Sequence, residues 1–567
     1  VVVSTLMSLL VAFTLTPMMA SRFAKLEQLT SKTLWGRFIL AFEGFLNRVK
    51  AFYGSALHWV LFHKRYLFLT VIFLLVSSIA LVPAGFIGAS FAGSGDRGEL
   101  AIQLETASDM PIRQTNLLVK EAEKLVLSHP EVKSVYTLVG TQTGAKGNTE
   151  NIAELSVTLV DKNDRPFTTD EFGSMARNEI EKIPGIQVTV IPTGITGGVS
   201  SPIQIVVKGT DIDSVYKAAN VVKEVVAKIP GSDYVRFSTK GAIKQIQITP
   251  LRDKIAMRGL TLPDVSQSIQ LAFNGNDQTE FTEGDDTYNL FVAISQTDKQ
   301  NIEAIRNLSL SNQHGQLVKL SQVADIKEVT GQTILQRTDR QNSITVTSSA
   351  IGRPSGTIVA DIKTKLETVA LPVGVDVDYQ GDAKNQGDAF GSLAFALIIA
   401  VVLVYMVMVS LYESMVYPFV VIFSIPVALV GALLAIALTM NQLTIFTIIG
   451  MIMLLGLVTK NGILIVDFAN HLKAEGMDVI EALVEAGKER LRPIIMTTFA
   501  MILGMLPLAL SQSPGSEFKN GMAWVIIGGL TSSFLLTLFL VPSVYLVVEN
   551  ECVAVEEIRL WLYPINV

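Results

Sequence analysis

The sequence predicts an α-helical membrane bundle of about seven spans that carries a large mixed α/β region outside the membrane. Three observations support this fold class. Hydrophobic residues make up 49% of the 567 residues and charged residues only 17%, whereas ordinary soluble domains carry roughly 25% charged residues. The mean hydropathy is +0.44. Apolar runs of about 20 residues, the length that crosses a bilayer, flank a polar stretch at 89–388.

Composition also limits the classes of function. The net charge of −6 gives no basic surface for DNA or RNA, so no nucleic-acid partner is expected. The single cysteine, Cys552, excludes an internal disulfide and a cysteine zinc site. The sequence has no GxxxxGK[ST] phosphate loop, GxSxG elbow or His/Glu metal pattern. It therefore predicts neither an enzyme nor a resident cofactor or metal, and it disfavours ATP-driven transport.

Seven spans are predicted from uncharged runs and from the turn signals that separate them. The chain begins with Val1 inside the first apolar run, so we expect a fragment or a processed protein. The second span belongs to a helical segment at 66–88, and the last five lie within 389–548. The predicted spans are 1–20, 66–87, 389–411, 417–438, 443–466, 494–511 and 521–548.

Lysine and arginine residues in the short loops predict the orientation. The segment 21–65 contains eight of them and only two acidic residues, so we expect it to be cytoplasmic. Threading the spans from there places 89–388 outside and returns 467–493 and the tail 549–567 to the cytoplasm. Apolar residues recur at helical spacing over 35–56, which predicts an amphipathic helix on the membrane surface. A helix packed on neighbouring loops is the alternative.

The region outside the membrane alternates between strand and helix patterns. Residues 89–200 follow the order β-α-β-β-α-β, the split βαβ pattern. The same order begins again at 201–240 and resumes at 337–388, so 241–336 is predicted to be an inserted subdomain. The glycine-rich loop 140–151 joins the two βαβ units of the first sandwich, and its composition alone favours a solvated connection.

Lys460 is the only Asp, Glu, Lys or Arg between Ser414 and Val466. A lysine near the bilayer centre costs about 2.5–3.5 kcal/mol on insertion scales, which indicates a carboxylate partner or a functional pathway. Snorkelling is the alternative, because Asp467 near the predicted helix end is only seven residues away. Arg490 and Thr497, also seven residues apart, share one helix face. A basic residue at a cytoplasmic helix start is, however, more typical of a topology anchor.

Three stretches make this sequence similar to a known family: SLYESMVYPFVVIFSIPVALVGALL, IGMIMLLGLVTKNGILIVDFA and RLRPIIMTT. Over nearly its whole length the chain resembles the C-terminal half of an RND-superfamily efflux transporter, with most similarity to the hydrophobe/amphiphile multidrug branch. Such transporters have twelve spans in two homologous halves, so the resemblance makes 1–20 the sixth span. It also implies a bacterial inner-membrane location, and two periplasmic porter subdomains with a docking subdomain inserted in the second.

The same resemblance implies proton-driven export of small hydrophobic or amphiphilic compounds by a homotrimer in membrane lipid. It places Lys460, Asn461, Arg490 and Thr497 in the proton relay. The two aspartates that take the proton belong to the fourth span, so an N-terminal half that carries them is an expected partner. A periplasmic adaptor and an outer-membrane channel are further expected partners if the source is Gram-negative. Export of an endogenous lipid, or a truncated module that does not transport, are the alternatives.

The loop after Gly140 resembles the family's switch loop between the proximal and distal drug pockets. Multidrug members carry aromatic residues there, whereas this chain has small polar ones. The implied substrate path consists of Tyr136, Gly140, Thr141, Thr143 and Gly144. Metal export is disfavoured, because metal exporters of the superfamily use methionine clusters. Only three of the 17 methionines lie in the external region, and they are widely spaced: Met110, Met175 and Met257.

The predicted topology can be tested with single cysteines in a background that lacks Cys552. We expect cysteines within 90–388 to react with impermeant reagents from the periplasmic side, and cysteines within 467–493 to remain unlabelled, because of the charge asymmetry of the loops. The measurement is labelling in intact cells, with permeabilised cells as the control for intrinsic reactivity. The reversed labelling pattern would overturn the orientation.

Overall fold

The structure, a computed structural model, describes residues 2–23, 34–93, 95–107, 110–140, 150–192, 201–237, 243–295, 299, 301–312, 315–331 and 335–562. The chain divides into two compact units. The first unit, Val1–Gly95 with Gln386–Val567, is helical. The second unit, Asp96–Asn385, contains strands and helices.

Four helices precede the first strand. The first two are joined by a π-helical segment, Val11–Leu15, and they form the apolar rod Thr5–Phe23. The side chains of this rod stay exposed within this chain, as expected of residues that face lipid or another protein segment. The four helices are α1 Val2–Leu10, α2 Thr16–Phe23, α3 Leu34–Phe62 and α4 Lys64–Ala80.

The bend between α3 and α4 is 94° and lies at His63. The second predicted span, 66–88, is shorter in the structure because α4 ends at Ala80. Pro83 follows, and proline lacks a backbone donor and biases the residue before it away from helical geometry. At 17 residues, α4 is about 25 Å long, slightly less than the hydrocarbon core of about 30 Å.

Helix α3 has two different faces. Tyr53, Leu57 and Leu61 are buried and pack into a core that includes the C-terminal helices of the unit. Phenylalanines and a tryptophan two turns apart line the other face and are more than half exposed: Phe45, Phe52 and Trp59. The predicted amphipathic pattern is therefore present. The inner face contacts helices rather than the neighbouring loops of the alternative interpretation.

The first sandwich of the second unit contains four strands and two helices. Its sheet has the order β2-β3-β1-β4 with antiparallel neighbours, and Ile102, Leu155, Val119 and Phe172 fill the core between sheet and helices. The elements follow the predicted order β-α-β-β-α-β. They are β1 Glu99–Glu105, α5 Ile112–Leu127, β2 Val132–Val139, β3 Ile152–Leu159, α6 Thr169–Ile180 and β4 Gln187–Pro192.

A polar contact fixes the start of α6. Asp96 binds the buried side chain of Arg165 and the hydroxyl of Thr169, while Thr168 and Glu171 form a capping box at the helix N-terminus. Burial raises the pKa of the Asp96 carboxyl, but the hydrogen bonds and charge of Arg165 and the hydrogen bonds of Thr169 outweigh burial and hold its pKa below its ordinary value. The carboxylate therefore stays ionised and paired at neutral pH.

The second sandwich repeats the strand order of the first. Its sheet reads β6-β14-β5-β15, with β13 pairing as a further short strand along β14, and Ile205, Val222, Ile344 and Ile358 occupy the core. The elements are β5 Ile203–Gly209, α7 Ile212–Ala227, β6 Ser232–Phe237, β13 Gln336–Thr338, β14 Gln341–Ala350, α12 Ser355–Glu367 and β15 Val375–Gly381.

The chain leaves the second sheet after β6 and returns at β13, close to the predicted insertion 241–336. Ile255, Ile305, Leu310 and Leu320 form a separate core for the inserted residues. Strand β7 pairs with β12, and β8 with β9. The elements are β7 Ile243–Pro250, α8 Arg252–Met257, α9 Leu262–Asn274, β8 Asn276–Glu283, β9 Asp286–Val292, α10 Ile302–Arg306, β10 Ser309–Ser311, β11 Leu317–Lys319, α11 Leu320–Val323 and β12 Ala324–Gly331.

Six helices complete the first unit. Within the described residues, six helical segments are long and apolar enough to cross a membrane, with α14 and α15 counted together. The bent pair α3 and α4 would make seven if it forms one span. The helices are α13 Asp382–Tyr412, α14 Val416–Ile422, α15 Ser424–Leu438, α16 Ile445–Ala474, α17 Val479–Ala509 and α18 Glu517–Leu562.

Helices α16, α17 and α18 extend into segments that are predicted from the sequence to be a loop or a tail. Most of the predicted loop 467–493 is helical, because α16 continues to Ala474 and α17 begins at Val479, after Asp478 caps it. Pro493 lies inside α17 rather than at its start. Burial of the preceding half of α17 against neighbouring helices outweighs the one hydrogen bond that proline removes. The predicted tail 549–567 is helical as far as Leu562.

Small residues bring α15 and α18 into close contact. A Cβ at Gly431 would overlap the Oγ of Ser532 and the carbonyl oxygen of Gly528, and a Cβ at Gly528 would overlap Ala435. Gly431 and Ala435 on one helix therefore face Gly528 and Ser532 on the other, each pair four residues apart. This is the small-xxx-small arrangement by which membrane helices approach closely.

Substitution of Gly431 tests this contact. We expect Gly431→Ala to lower the thermal unfolding midpoint of the full chain in detergent, because overpacking a tight contact costs about 1–3 kcal/mol. Gly504→Ala on α17 is the matched control, since a Cβ there meets nothing within 4 Å. An unchanged midpoint for Gly431→Ala would show that the two helices can move apart without loss.

Candidate functional site

Lys460 lies midway along α16, on a face that the described chain leaves open. The opposite face packs into the bundle through residues such as Leu454, Val458 and Ile465. Among the described residues, the salt bridges of this unit do not include Lys460. The exposed residues of this face form a row along the helix, in which Lys460 follows three uncharged residues and precedes an aspartate near the helix end. They are Ile449, Met453, Gly456, Lys460 and Asp467.

Arg490 contacts α16 from the neighbouring helix α17. Its guanidinium carbon lies 4.5 Å from the centre of the Phe468 ring, a cation–π contact. Its Nε is buried and has no acceptor among the described residues. An arginine that served only as a topology anchor would extend into water, so partial burial with an open donor indicates a further polar partner.

Thr497 and Lys460 lie at about the same level. The two helices run antiparallel, and Thr497 is seven residues beyond Arg490 while Lys460 is eight residues before Phe468. Each is therefore about 11–12 Å from the cation–π contact. The hydroxyl of Thr497 donates to the carbonyl of Ile494 in its own helix, at 3.3 Å.

Asn461 points away from the open face. Its side chain is 1% exposed, and it lies within the packed interior of the bundle. Of the four residues that the family resemblance places in a proton relay, the structure thus brings Lys460 and Thr497 to one level. Arg490 lies two turns away along α17, and Asn461 faces inward.

Sequence reasoning missed the contact between Tyr412 and this helix. The hydroxyl of Tyr412, at the end of α13, donates to the carbonyl of Ile463 at 3.0 Å. Ile463 is one turn beyond Lys460, so α13 is tethered close to the lysine. The sequence signal for this contact was a tyrosine near a predicted span end. Such a tyrosine is also typical of the membrane interface, so it did not by itself predict the contact.

The external residues of the implied substrate path are only partly described. Tyr136 lies on the edge strand β2 and is 64% exposed. Gly140 follows β2 with φ +84°, and its N–H donates to Ile152 at 2.8 Å. This left-handed conformation favours glycine at the start of the loop. Thr141, Thr143 and Gly144 lie outside the described residues.

A second polar group lies between the two sandwiches. Arg177 on α6 forms ion pairs with Glu181 and with Asp233 on β6, and stacks 4.4 Å over the ring of Tyr234. Tyr234 has φ +63°, an uncommon conformation for a bulky residue. The pocket beside it, about 30 Å³, is far smaller than the roughly 300–1,000 Å³ of drug-sized sites.

Burial also raises the pKa of Asp170, which lines this pocket, and the negative charges of Asp96 and Glu171 raise it further. Sequence analysis did not single out these residues, because they come from different repeats of the chain. The arrangement links the two sandwiches by charge rather than forming a binding cavity for a large molecule.

The chain is similar to known proteins over almost its whole length. The family model described as the AcrB/AcrD/AcrF family matches residues 1–549. The chain belongs to this family. Its members, from the RND superfamily, are membrane transporters rather than enzymes. With several helices long enough to cross a bilayer, this member of the AcrB/AcrD/AcrF family is a multi-pass membrane protein.

Two solved structures resemble this AcrB/AcrD/AcrF family member. They are two crystal forms of a heavy-metal efflux pump, each with 25% sequence identity and a TM-score of 0.77. Each covers 89% of this chain, whereas the chain covers 53% of one and 52% of the other. The chain therefore spans about half the length of these proteins.

Proposed function

We propose that this chain supplies the C-terminal half of a proton-driven exporter, and that Lys460 is the cation of its proton relay. The observation that carries the proposal is the open face of α16, where a lysine stands among exposed apolar residues. An ammonium on a membrane-facing helix surface is costly without a partner. A second set of helices that brings carboxylates to this face would cover the apolar row and pair with Lys460.

The proton then acts through the charge of those carboxylates. When they are ionised, they attract Lys460 and hold the two sets of helices together. Protonation neutralises them and removes the attraction, so the helices can shift. Such a switch requires that the lysine keep its charge while its partner changes, which suits a lysine paired with aspartates.

Arg490 fits the same scheme as a second cation. Its ring contact with Phe468 holds the guanidinium plane, and the buried Nε leaves a donor for an additional acceptor. Thr497 lies near the level of Lys460, where its hydroxyl can donate to a carboxylate after leaving the Ile494 carbonyl. Proton uptake at these positions is our proposal for how the membrane unit is driven.

A Lys460→Met variant tests the relay in a transporter that contains both halves. We expect export to be abolished, while expression and trimer assembly stay nearly intact, because carboxylates left without the lysine can take up protons and become neutral. The measurement is dye or drug efflux at matched protein level in cells with a proton gradient. Arg490→Ala should also reduce efflux, but to a smaller extent than Lys460→Met.

Lys519→Met is the matched control for the loss of a positive charge. Lys519 is exposed near the start of α18, on a different helix from the open face of α16. Its replacement should therefore leave efflux unchanged. Normal efflux by Lys460→Met would show that the lysine only snorkels, and the proposed relay would then be rejected.

For the substrate we propose small hydrophobic or amphiphilic compounds. The methionines that could bind a soft metal lie apart: Met175 packs against the core of the first sandwich, and Met257 lies in the insertion, where it is 84% exposed. Thioether sites for soft metals need several ligands around one ion. Export of a heavy-metal ion is the second candidate, favoured by the similarity to the heavy-metal efflux pump structures.

Resistance profiles distinguish these substrates. Cells that express the complete transporter should gain tolerance to amphiphilic dyes and detergents but not to copper, silver or zinc salts. Tolerance to metal salts alone would replace our substrate with the second candidate.

The loop after Gly140 can be tested in the same cells. If this loop gates the substrate path, Gly144→Pro and Gly147→Pro should alter the tolerance with little loss of folded protein. Unchanged resistance profiles in these variants would remove the loop from the path.

We propose the same assembly for the complete protein as the family resemblance implies. The partners are an N-terminal half with the relay aspartates, two further copies in a homotrimer, and a periplasmic adaptor with an outer-membrane channel. In this scheme the two sandwiches are porter subdomains, the inserted residues are the docking subdomain, and the location is the inner membrane. Export of an endogenous lipid, or a module that assembles without transporting, are the alternatives that the efflux assays also test.

A further inference from the structure

A group of small polar side chains lies inside the membrane unit, beside the enclosed part of α16. Four such residues from three helices are between 0% and 1% exposed. One is an amide and three are hydroxyls, and none carries a charge. They are Asn461 on α16, Thr498 on α17, and Ser533 and Thr537 on α18.

Contacts on either side place these residues within about two helical turns of one another. A Cβ at Gly529 would overlap Leu454, and a Cβ at Gly462 would lie 3.6 Å from Val541. The segment of α16 between Leu454 and Gly462 therefore runs beside the segment of α18 between Gly529 and Val541. Asn461 lies within the first segment, and Ser533 and Thr537 lie within the second.

Helix α17 reaches the same level through its own contacts. The ring of Phe499 lies 6.3 Å from the ring of Phe534 in an edge-to-face arrangement. Thr498 immediately precedes Phe499, and Ser533 immediately precedes Phe534. Thr498 is completely buried, so it faces the neighbouring helices rather than lipid.

The directions of the side chains converge on the junction of the three helices. Phe468, which contacts α17, lies seven residues beyond Asn461 and hence on the same side of α16. On α17, Arg490 contacts α16 and Phe499 contacts α18, and the buried Thr498 lies between these two directions around the helix. On α18, Gly529 contacts α16 and Phe534 contacts α17, and Ser533 lies between these two directions.

The hydrogen bonds at this junction are incomplete. The hydroxyls of Ser533 and Thr537 pair with each other at 3.1 Å. The amide nitrogen and oxygen of Asn461 and the hydroxyl of Thr498 are buried without a partner among the described residues. Buried polar groups are almost always paired with protein or with ordered water. A segment that covers the open face cannot reach these atoms, because the chain itself already encloses them.

We propose that the junction of α16, α17 and α18 is a buried water site, which we call the three-helix water site and define by Asn461, Thr498, Ser533 and Thr537. On the order of one or two molecules would suffice, since each buried water typically makes about three hydrogen bonds. Asn461 supplies donors and an acceptor, and each hydroxyl can do either. A cation would face the amide N–H groups and an anion the amide oxygen, so a neutral ligand that both donates and accepts fits best.

The three-helix water site does not depend on the proposed transport function. It follows from the packing of three helices within this chain, and Asn461 lies about 100° around α16 from Lys460. Water at the site would connect the three helices through hydrogen bonds, and a water molecule can exchange one hydrogen-bond partner for another. The helices can then change their contacts at this level without leaving a polar group unpaired.

Thermal unfolding of the full chain in detergent tests the site. Thr498→Val keeps the shape of the side chain and removes the hydroxyl. If water occupies the junction, we expect the unfolding midpoint to fall by about 2–4 °C, because the water loses a partner and Asn461 loses part of its network. In a dry junction, the same substitution removes an unpaired buried hydroxyl, and the midpoint stays or rises. Either of the latter results would overturn the proposal.

Thr531→Val is the matched control. Thr531 lies on α18 two residues before Ser533, is exposed, and donates to the carbonyl of Ile527 in its own helix at 2.7 Å. The same chemical change there should leave the midpoint within about 1 °C, since surface substitutions usually have small effects.

Hydroxyl-radical footprinting by X-ray radiolysis provides a readout that does not depend on stability. Radicals formed from a bound water oxidise side chains beside it, even where bulk water has no access. We expect labelling of the fully buried Val458 and Ile494, one turn from Asn461 and Thr498, in the unsubstituted chain. This labelling should fall several-fold in Thr498→Val or in the gentler variant Ser533→Ala. Absence of labelling in the unsubstituted chain would reject the site.

Discussion

The close contact between α15 and α18 is the constraint on which the rest of the membrane unit depends. Gly431 and Gly528 have no side chains, so the two helix backbones touch directly. Because α18 is fixed in this way, α16, α17 and α3 pack against its remaining faces. In lipid there is little hydrophobic gain from pairing apolar helices, so such packing is a main source of association. Larger residues at these glycines would displace a helix that three others share.

This arrangement divides each helix into an enclosed side and an open side. For α16, the enclosed side includes Gly462 and Asn461, and the open side includes Lys460. Residues that are adjacent in the sequence therefore lie in different environments. Sequence reasoning recognised the cost of Lys460 in an apolar run, and the family resemblance places Asn461 in the same relay, which stays a prediction. Hydropathy cannot separate the two, because both sides of a membrane helix are apolar and the 3.6-residue pattern is weak.

The external unit could be predicted more fully than the contacts within it. Alternating strand and helix patterns predicted two βαβ repeats and an insertion, and the observed strand order of both sheets follows from those repeats. The ion pair of Arg177 with Asp233 could not be predicted, since it joins a helix of one repeat to a strand of the other. The long helix α17 was missed for a related reason. Pro493 is a local signal for a helix start, and burial of residues such as Leu483 and Leu491 overrides it.

The helix before the sharp bend, α3, is tied to α17 by contacts just before Arg490. Tyr53 packs so closely on Gly487 that a Cβ there would lie 2.7 Å from its hydroxyl, and Lys50 pairs with Glu489 at 2.6 Å. Phe45 and Phe52 lie on the outer face of α3 and remain exposed. The inner face of α3 therefore holds the part of α17 that leads directly to Arg490. A change that shifts α3 would shift this guanidinium with it, although Lys50 lies 439 residues before Glu489 in the sequence.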